Sequence, residues 1–260
     1  MRKVKAMSNT WSVVTGGSTG LGVAFAERLA AEGSDVWLAA RSGDQMQAVA
    51  RRLESEYGVA TRISTVDLTH REARRAFVEE VRAAKVGHLV NNAGFAQLGH
   101  FAASDPEGTT DMLELNVVAL TDLTHAVLPG MLERGRGAIV NVASTAAFQP
   151  TPNMASYAAS KAYVLSFSVA LWRELKPTGV RVIASCPGAT KTEFWARGGD
   201  DNMMRNRRTP EQVASVTFDA LRKHRPFVVD GTMNRVMAFA TRLVPMDLQT
   251  QVASVITASR

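Results

Sequence analysis

Tyr157 and Lys161 stand four residues apart in the run Tyr-Ala-Ala-Ser-Lys, with Ser144 upstream of them. On a helix, residues four apart share one face. An ammonium beside a phenol favours the phenolate, so Lys161 is expected to draw the tyrosine pKa down from its ordinary value of about 10. A tyrosine tuned in this way passes a proton to or from a carbonyl oxygen. Tyr-x-x-x-Lys pairs also arise by chance on exposed helices, so the remaining residues decide between chemistry and coincidence.

Near the N-terminus, Thr15-Gly-Gly-Ser-Thr-Gly-Leu-Gly22 separates an apolar run from a helical pattern. Glycines there permit a tight turn and a close backbone approach to a pyrophosphate. The following helix start offers free N–H groups and a partial positive charge. Gly16, Ser18, Thr19, Gly20 and Leu21 are therefore candidates to cradle a dinucleotide, with Ser18 hydrogen-bonding a phosphate. The same residues, Gly16-Gly-Ser18-Thr-Gly20, also match the Gly-x-Ser-x-Gly elbow of serine hydrolases. That reading wants several strands before the elbow and an acid and a histidine in order after it. Here the elbow falls on the first strand, and His70, His88, His100, His125 and His224 stand in no triad context. The hydrolase is the weaker reading.

The end of the second strand bears on the choice of nucleotide. A carboxylate there accepts from a ribose 2′-hydroxyl and repels a 2′-phosphate. The chain instead runs Val36-Trp-Leu-Ala-Ala40-Arg41, and a guanidinium suits a phosphate. This favours NADP(H) over NAD(H), unless Arg41 only faces solvent. Asp67, in Val66-Asp67-Leu68, is placed to meet the adenine amine or to cap the next helix.

Elements that position these residues follow from periodicity. Short apolar runs alternate with helical patterns, which argues for one doubly wound parallel sheet of Rossmann type, an α/β fold with helices on both faces. Strands are expected over 11–15, 35–40, 61–66, 88–91, 138–143, 180–185 and 227–229. Helices are expected over 21–32, 45–57, 71–84, 110–132 and 155–175. Thr209 and Pro210 read as the N-cap and first position of another. The polar Gly188–Arg208 segment reads as a substrate lid, and residues 232–260 as a helical tail of two short amphipathic pieces divided near Pro245. The whole chain, 1–260, reads as a single domain.

Composition narrows the class. The 260 residues are 46% hydrophobic, enough for a large core. No apolar run approaches the roughly 20 residues of a membrane span, and no signal-length apolar stretch follows the basic N-terminus. Cys186 is the only cysteine, so no intrachain disulfide forms; a cytoplasmic location is expected. The net charge of +6 is spread along helices, with Arg51, Arg52, Arg71, Arg74 and Arg75 read as solvated faces rather than a nucleic-acid surface. No metal site is read.

Taken in order, Thr15-Gly-x-x-x-Gly-x-Gly22, Asn91-Asn92-Ala93-Gly94, Asn116 in Leu-Asn-Val, Ser144, Tyr157-x-x-x-Lys161, and Pro187-Gly188 with Thr190 and Thr192 resemble the short-chain dehydrogenase/reductase superfamily from about Ser12 to Gly231. The resemblance implies an oxidoreductase in which Tyr157 is the acid in reduction and the base in oxidation. By the same resemblance, Lys161 binds the nicotinamide ribose and lowers the Tyr157 pKa, and Ser144 holds the substrate oxygen. It implies that Asn116 holds a water in a relay to Lys161, that Asn92, Ala93 and Gly94 line the adenosine side, and that Pro187, Gly188, Thr190 and Thr192 meet the nicotinamide. It further implies a homodimer or homotetramer. Two departures stand out: the glycine turn lacks the basic residue of some NADP(H) branches, and a tail of about 30 residues follows Gly231. Phe95, Phe148, Pro150, Met154, Phe194 and Trp195 are candidate walls for a lipophilic ketone, aldehyde or secondary alcohol. Arg205, Arg207 and Arg208 read as a solvated run or as an attractant for an anionic partner. A regulator that binds NADP(H) without turnover is the alternative of a different class.

Overall fold

The structure is a computed structural model that describes residues 10–191 and 208–257. Strands β1 (Trp11–Thr15), β2 (Asp35–Ala40), β3 (Thr61–Thr65), β4 (Val86–Asn91), β5 (Gly137–Val142), β6 (Val180–Cys186) and β7 (Phe227–Val229) form one sheet. Every pairing is parallel, in the order β3-β2-β1-β4-β5-β6-β7.

Strand alternation explains how such a sheet is buried on both faces. Val14, Leu38, Val90, Val140 and Ile183 face one way, where they meet helices α1 (Gly20–Ala31) and α2 (Gly43–Tyr57). Their immediate neighbours Val13, Trp37, Leu89, Ile139 and Val182 face the other way. There they meet α3 (Arg71–Ala83) and the long helix made of α4 (Pro106–Leu113), a π-helical turn (Glu114–Ala119) and α5 (Leu120–Glu133). Helix α6 (Ala155–Glu174) completes that layer, and α7 (Pro210–Arg222) joins the first. The tail forms α8 (Thr232–Ala240), a 3₁₀ turn (Thr241–Leu243) and α9 (Met246–Thr257).

One expected boundary needs correction. The helix expected from Thr110 begins at Pro106, because Asp105 accepts hydrogen bonds from the Glu107 and Gly108 amides and Pro106 needs no donor partner in the first turn. The helical stretch Pro106–Glu133, 28 residues, has a length and composition that would suit a bilayer and that buried core helices share. Leu120, Leu123, Ala126, Val127 and Met131 on it are buried within the protein. Thr209 and Pro210, by contrast, start α7 with the expected cap, and Gln212 closes the capping box.

Phe25 of α1 and Phe218 of α7 meet edge to face at 6.0 Å under the sheet, both buried. Phe25→Ala should lower the unfolding free energy by about 3–5 kcal/mol. A double-mutant cycle with Phe218→Ala, read by chemical denaturation, should show a coupling of about 0.5–1.5 kcal/mol.

Candidate active site

Strand order reverses between β1 and β4, and a crevice opens where their C-terminal ends part. A cleft of about 490 Å³ lies there.

At the phosphate end, Gly16 and Gly20 take positive φ, +65° and +54°, a conformation that side-chained residues avoid. A Cβ on Gly22 would collide with the Gly16 carbonyl. The turn is fastened from across the crevice: Asn92 Nδ2 donates to the Thr15 carbonyl at 2.9 Å and the Gly16 carbonyl at 3.2 Å. Thr15 Oγ1 accepts from the Asn92 and Ala93 amides, both at 3.0 Å, and donates to the Val90 carbonyl. Thr19 is the N-cap of α1, and its side chain makes no capping hydrogen bond. The first-turn amides are thus left for an anion. Gly16, Ser18, Thr19, Gly20 and Leu21 all line the cleft.

At the adenosine end, Arg41 is 68% exposed and reaches 3.7 Å from the Asp67 carboxylate. Both line the cleft, with Leu68, Asn92, Ala93 and Gly94. Burial would raise the Asp67 pKa, but hydrogen bonds from the Thr69 amide and hydroxyl, with the charges of Arg41 and His70, leave it below its ordinary value. Asp67 therefore stays charged and holds a local turn; the N-cap of α3 is His70. Arg74, expected on a solvated face, is buried. It donates to the Leu68 carbonyl at 2.9 Å and pairs with Glu114 and Asp122, tying the adenosine-side loop to the long helix.

At the far end, Ser144 and Tyr157 line the cleft together, with the Ser144 side chain near enough to bear on the Tyr157 hydroxyl. Lys161 Nζ donates to the Val142 carbonyl at 2.9 Å and lies 5.8 Å from the Tyr157 ring centre. The sequence expectation for the tyrosine is overturned here. Burial pushes the Tyr157 hydroxyl up to about 12, a shift that the Ser144 side chain opposes. Lys161 is itself pulled down to about 8 by burial, partly offset by nearby Cys186. Desolvation disfavours both charged forms, and the two groups share no hydrogen bond to repay it.

Asn116 lies in the π-helical turn behind the cleft. Its Oδ1 accepts from the Phe95 amide at 3.2 Å, and its Nδ2 donates to the Phe95 carbonyl at 3.0 Å and to Ser160 Oγ at 3.1 Å. Ser160 in turn donates to the Tyr157 carbonyl. The Asn116 amide therefore fixes the chain after Gly94 to the helix that carries Tyr157. A Cβ on Gly94 would lie 2.7 Å from Asn116 Oδ1 and 3.4 Å from Lys161 Nζ.

Pro187, Gly188 and Thr190 line the same end. Arg208, read as solvated, pairs through Nε and Nη2 with the buried Asp230 and bridges to Thr190, so it anchors the chain beside the cleft. Thr192, Phe194, Trp195, Arg205 and Arg207 lie outside the described residues. Of the expected walls, Phe95 lines the cleft, and Met154 packs with Met112 against Tyr157. Phe148 turns away to meet Phe227 at 5.9 Å, and Pro150 lies outside the cleft lining. Met112, Val142 and Ser160, and the bridging by the Thr15 hydroxyl, carry no signal in the sequence reading. Val142 contributes a backbone carbonyl, which carries no residue-type signal.

These features fit a dinucleotide: glycine backbones without Cβ, uncapped helix amides, and a cation at the ribose end. Comparison with known proteins agrees. The family model for short chain dehydrogenase matches residues 10–202. The very-long-chain 3-oxoacyl-CoA reductase of Laccaria bicolor is 36% identical over 186 residues, 70% of this chain and 55% of that protein. A Rattus norvegicus protein named inactive hydroxysteroid dehydrogenase-like protein 1 is 37% identical over 191 residues, 72% of this chain and 58% of that one. The chain thus spans somewhat over half the length of these curated relatives. A solved short-chain dehydrogenase from Sphingobium yanoikuyae, in complex with NADPH, is 35% identical with a TM-score of 0.83, covering 90% of this chain and 93% of that one.

Gly94→Ala should displace Asn116 or Lys161 while leaving the sheet intact. Its dinucleotide Kd, followed by fluorescence titration, should rise at least about tenfold, or 1.4 kcal/mol, with an unchanged circular dichroism spectrum.

Proposed function

The chain belongs to the short chain dehydrogenase family, and on that premise we propose that it is an NADP(H)-dependent oxidoreductase acting on a lipophilic ketone or aldehyde, or on the matching secondary alcohol. The observation that carries this reading is the placing of Ser144, Tyr157 and Lys161 together in a cleft whose other end suits a dinucleotide phosphate. The nicotinamide, when bound, supplies or accepts the hydride. The chain's own residues handle the proton and the alignment. Ser144 holds the substrate oxygen beside Tyr157. With its pKa raised to about 12, Tyr157 keeps its proton at neutral pH and is ready to donate it to the oxygen as negative charge develops there. Lys161, held by the Val142 carbonyl, sets a cation near the ribose and the phenol. Asn116 keeps the Gly94–Phe95 wall in place.

Support for NADP(H) comes from Arg41 at the ribose end, where a 2′-phosphate would compete with Asp67 for the guanidinium. A relative solved with NADPH points the same way. Support for a lipophilic substrate comes from Phe95, Met112 and Met154 around Tyr157; methionine walls adapt to irregular apolar shapes. One observation favours the second reading, cofactor binding without turnover: a relative carries the word inactive in its name. Against it, Ser144, Tyr157 and Lys161 are all present here.

NADPH consumption by the purified chain, measured against ketones and aldehydes from small to steroid-sized, tests the proposal. Turnover is expected on bulky apolar carbonyls, with a fall of about 10²–10⁴-fold in Tyr157→Phe; tight NADPH binding with no turnover on any carbonyl would favour the sensor. Arg41→Asp should raise the KM for NADPH at least about tenfold, the loss of one charge-assisted contact worth roughly 1.5–3 kcal/mol, and should spare NADH. If the native chain already prefers NADH, the NADP(H) assignment fails.

The raised Tyr157 pKa also fixes a pH signature. Oxidation needs the phenolate, which grows about tenfold per pH unit below the pKa, so kcat for alcohol oxidation should climb with pH. Reduction needs the phenol, so its kcat should stay level through neutrality. Rate profiles in the two directions check both.

A further inference from the structure

Arg74 is a buried cation that the proposed chemistry leaves unused. It stands on α3, 4% exposed, and its guanidinium is engaged on two sides. Nη1 donates to the Leu68 carbonyl at 2.9 Å and to the Thr69 carbonyl at 3.3 Å, in the loop whose Leu68 and Thr69 line the cleft. Nε and Nη2 reach the long helix, at Asp122 Oδ2 (3.0 Å) and Glu114 Oε2 (2.7 Å). Glu114 opens the π-helical turn, and Asp122 stands on α5 just past its end. Glu114 Oε2 is buried and takes no hydrogen bond among the described residues, so the Arg74 cation is what offsets its charge. Residues spaced as Glu114 and Asp122 are would stand about 80° apart around a regular α-helix. The wider π turn rotates the chain less per residue. That brings the two carboxylates closer to one face, and Arg74 contacts both.

We infer that Arg74 is a positioning residue: by drawing Glu114 and Asp122 together it holds the π-helical turn, and through Asn116 in that turn it sets the Gly94–Phe95 wall of the cleft. Like charges on one helix face repel. Without a cation between them, the two carboxylates would favour the separation that a regular helix gives. Rewinding the turn as regular helix would rotate Asn116 against the helix on one side of it. Its Oδ1 would then leave the Phe95 amide, and its Nδ2 would leave the Phe95 carbonyl and Ser160. A π turn is a rare conformation and persists where surrounding contacts enforce it. Arg74 supplies such a contact from another helix. Because it also holds the Leu68 and Thr69 carbonyls, one side chain sets two walls of the same cleft. The inference rests on the proposed oxidoreductase activity only for its kinetic readout.

Hydrogen exchange at the Phe95 amide, which donates to Asn116 Oδ1, tests it without turnover. In Arg74→Met that amide is expected to exchange at least about tenfold faster, while the Val140 and Ile183 amides in the sheet keep their native rates. Glu114→Gln, which leaves Arg74 paired with Asp122, should shift the same amide in the same direction by a smaller factor, and it decides the matter if Arg74→Met fails to fold. Arg74→Lys should fall between the native chain and Arg74→Met, because an ammonium lacks the fork that spans both carboxylates. Kinetics add a readout that a merely structural role would not move. Arg74→Met should lower kcat about tenfold in the native background and less than about twofold in an Asn116→Ala background, since residues acting as one unit are not additive. The inference is overturned if Phe95 exchange stays native in both Arg74→Met and Glu114→Gln, if the sheet amides accelerate equally, or if the kcat effects of Arg74→Met and Asn116→Ala simply multiply. A native chain without turnover on any carbonyl defeats the oxidoreductase reading alone, and hydrogen exchange then decides this one.

Discussion

The site rests on one place in the sheet, where β1 and β4 stop pairing after Val14 and Val90. Parallel strands that part leave backbone donors and acceptors without ladder partners, and buried polar groups left unpaired are costly. The Thr15 hydroxyl resolves this by bridging the Val90 carbonyl and the Asn92 and Ala93 amides, while Asn92 returns its side chain to the Thr15 and Gly16 carbonyls. Both walls of the cleft, the glycine turn and the Asn92–Gly94 segment, are set by this small network. The absence of side chains at Gly16, Gly22 and Gly94 follows from it, since each Cβ would strike a group that the network or its neighbours hold in place.

At the other end of the cleft, burial outweighs charge. An amine and a phenol on one helix face suggest a charge-tuned pair, yet each is withdrawn from water and each is moved toward its neutral form. The Val142 carbonyl holds the amine where the phenol does not reach it. The result is a phenol that keeps its proton, placed in the same cleft as the Ser144 hydroxyl. Support comes from behind: Phe95, Asn116, Ser160 and the Tyr157 carbonyl form a connected chain of hydrogen bonds, so the wall facing the cleft and the helix carrying the phenol are held together.

The tail applies the same amphipathic rule with its sign reversed. Elsewhere in the protein apolar stripes turn inward, as on α1 and α7, where Phe25 and Phe218 meet. On α8 the inward positions carry Asn234 and Ala238, small or polar enough to sit against Gly188 and Asp230, and the apolar stripe is left facing out.

Local pattern alone determined much of this protein. The alternation that sends Val13 and Val14, Leu89 and Val90, and Val182 and Ile183 to opposite faces is written in the sequence, because a strand has a period of two. The glycine turn, the Thr209 cap of α7 and the joining of Ser144, Tyr157 and Lys161 in one cleft were legible for the same reason: short-range geometry ties residue type to position. Tertiary structure decided what depends on distant neighbours. Arg74 and Arg208 read as solvated, but folding gave each carboxylate partners far away in the chain. Phe148 follows Ser144 closely in the chain and yet turns toward Phe227. The direction of the Tyr157 pKa shift reversed because desolvation depends on everything packed around a group, whereas spacing along a helix reports only the neighbours on that helix.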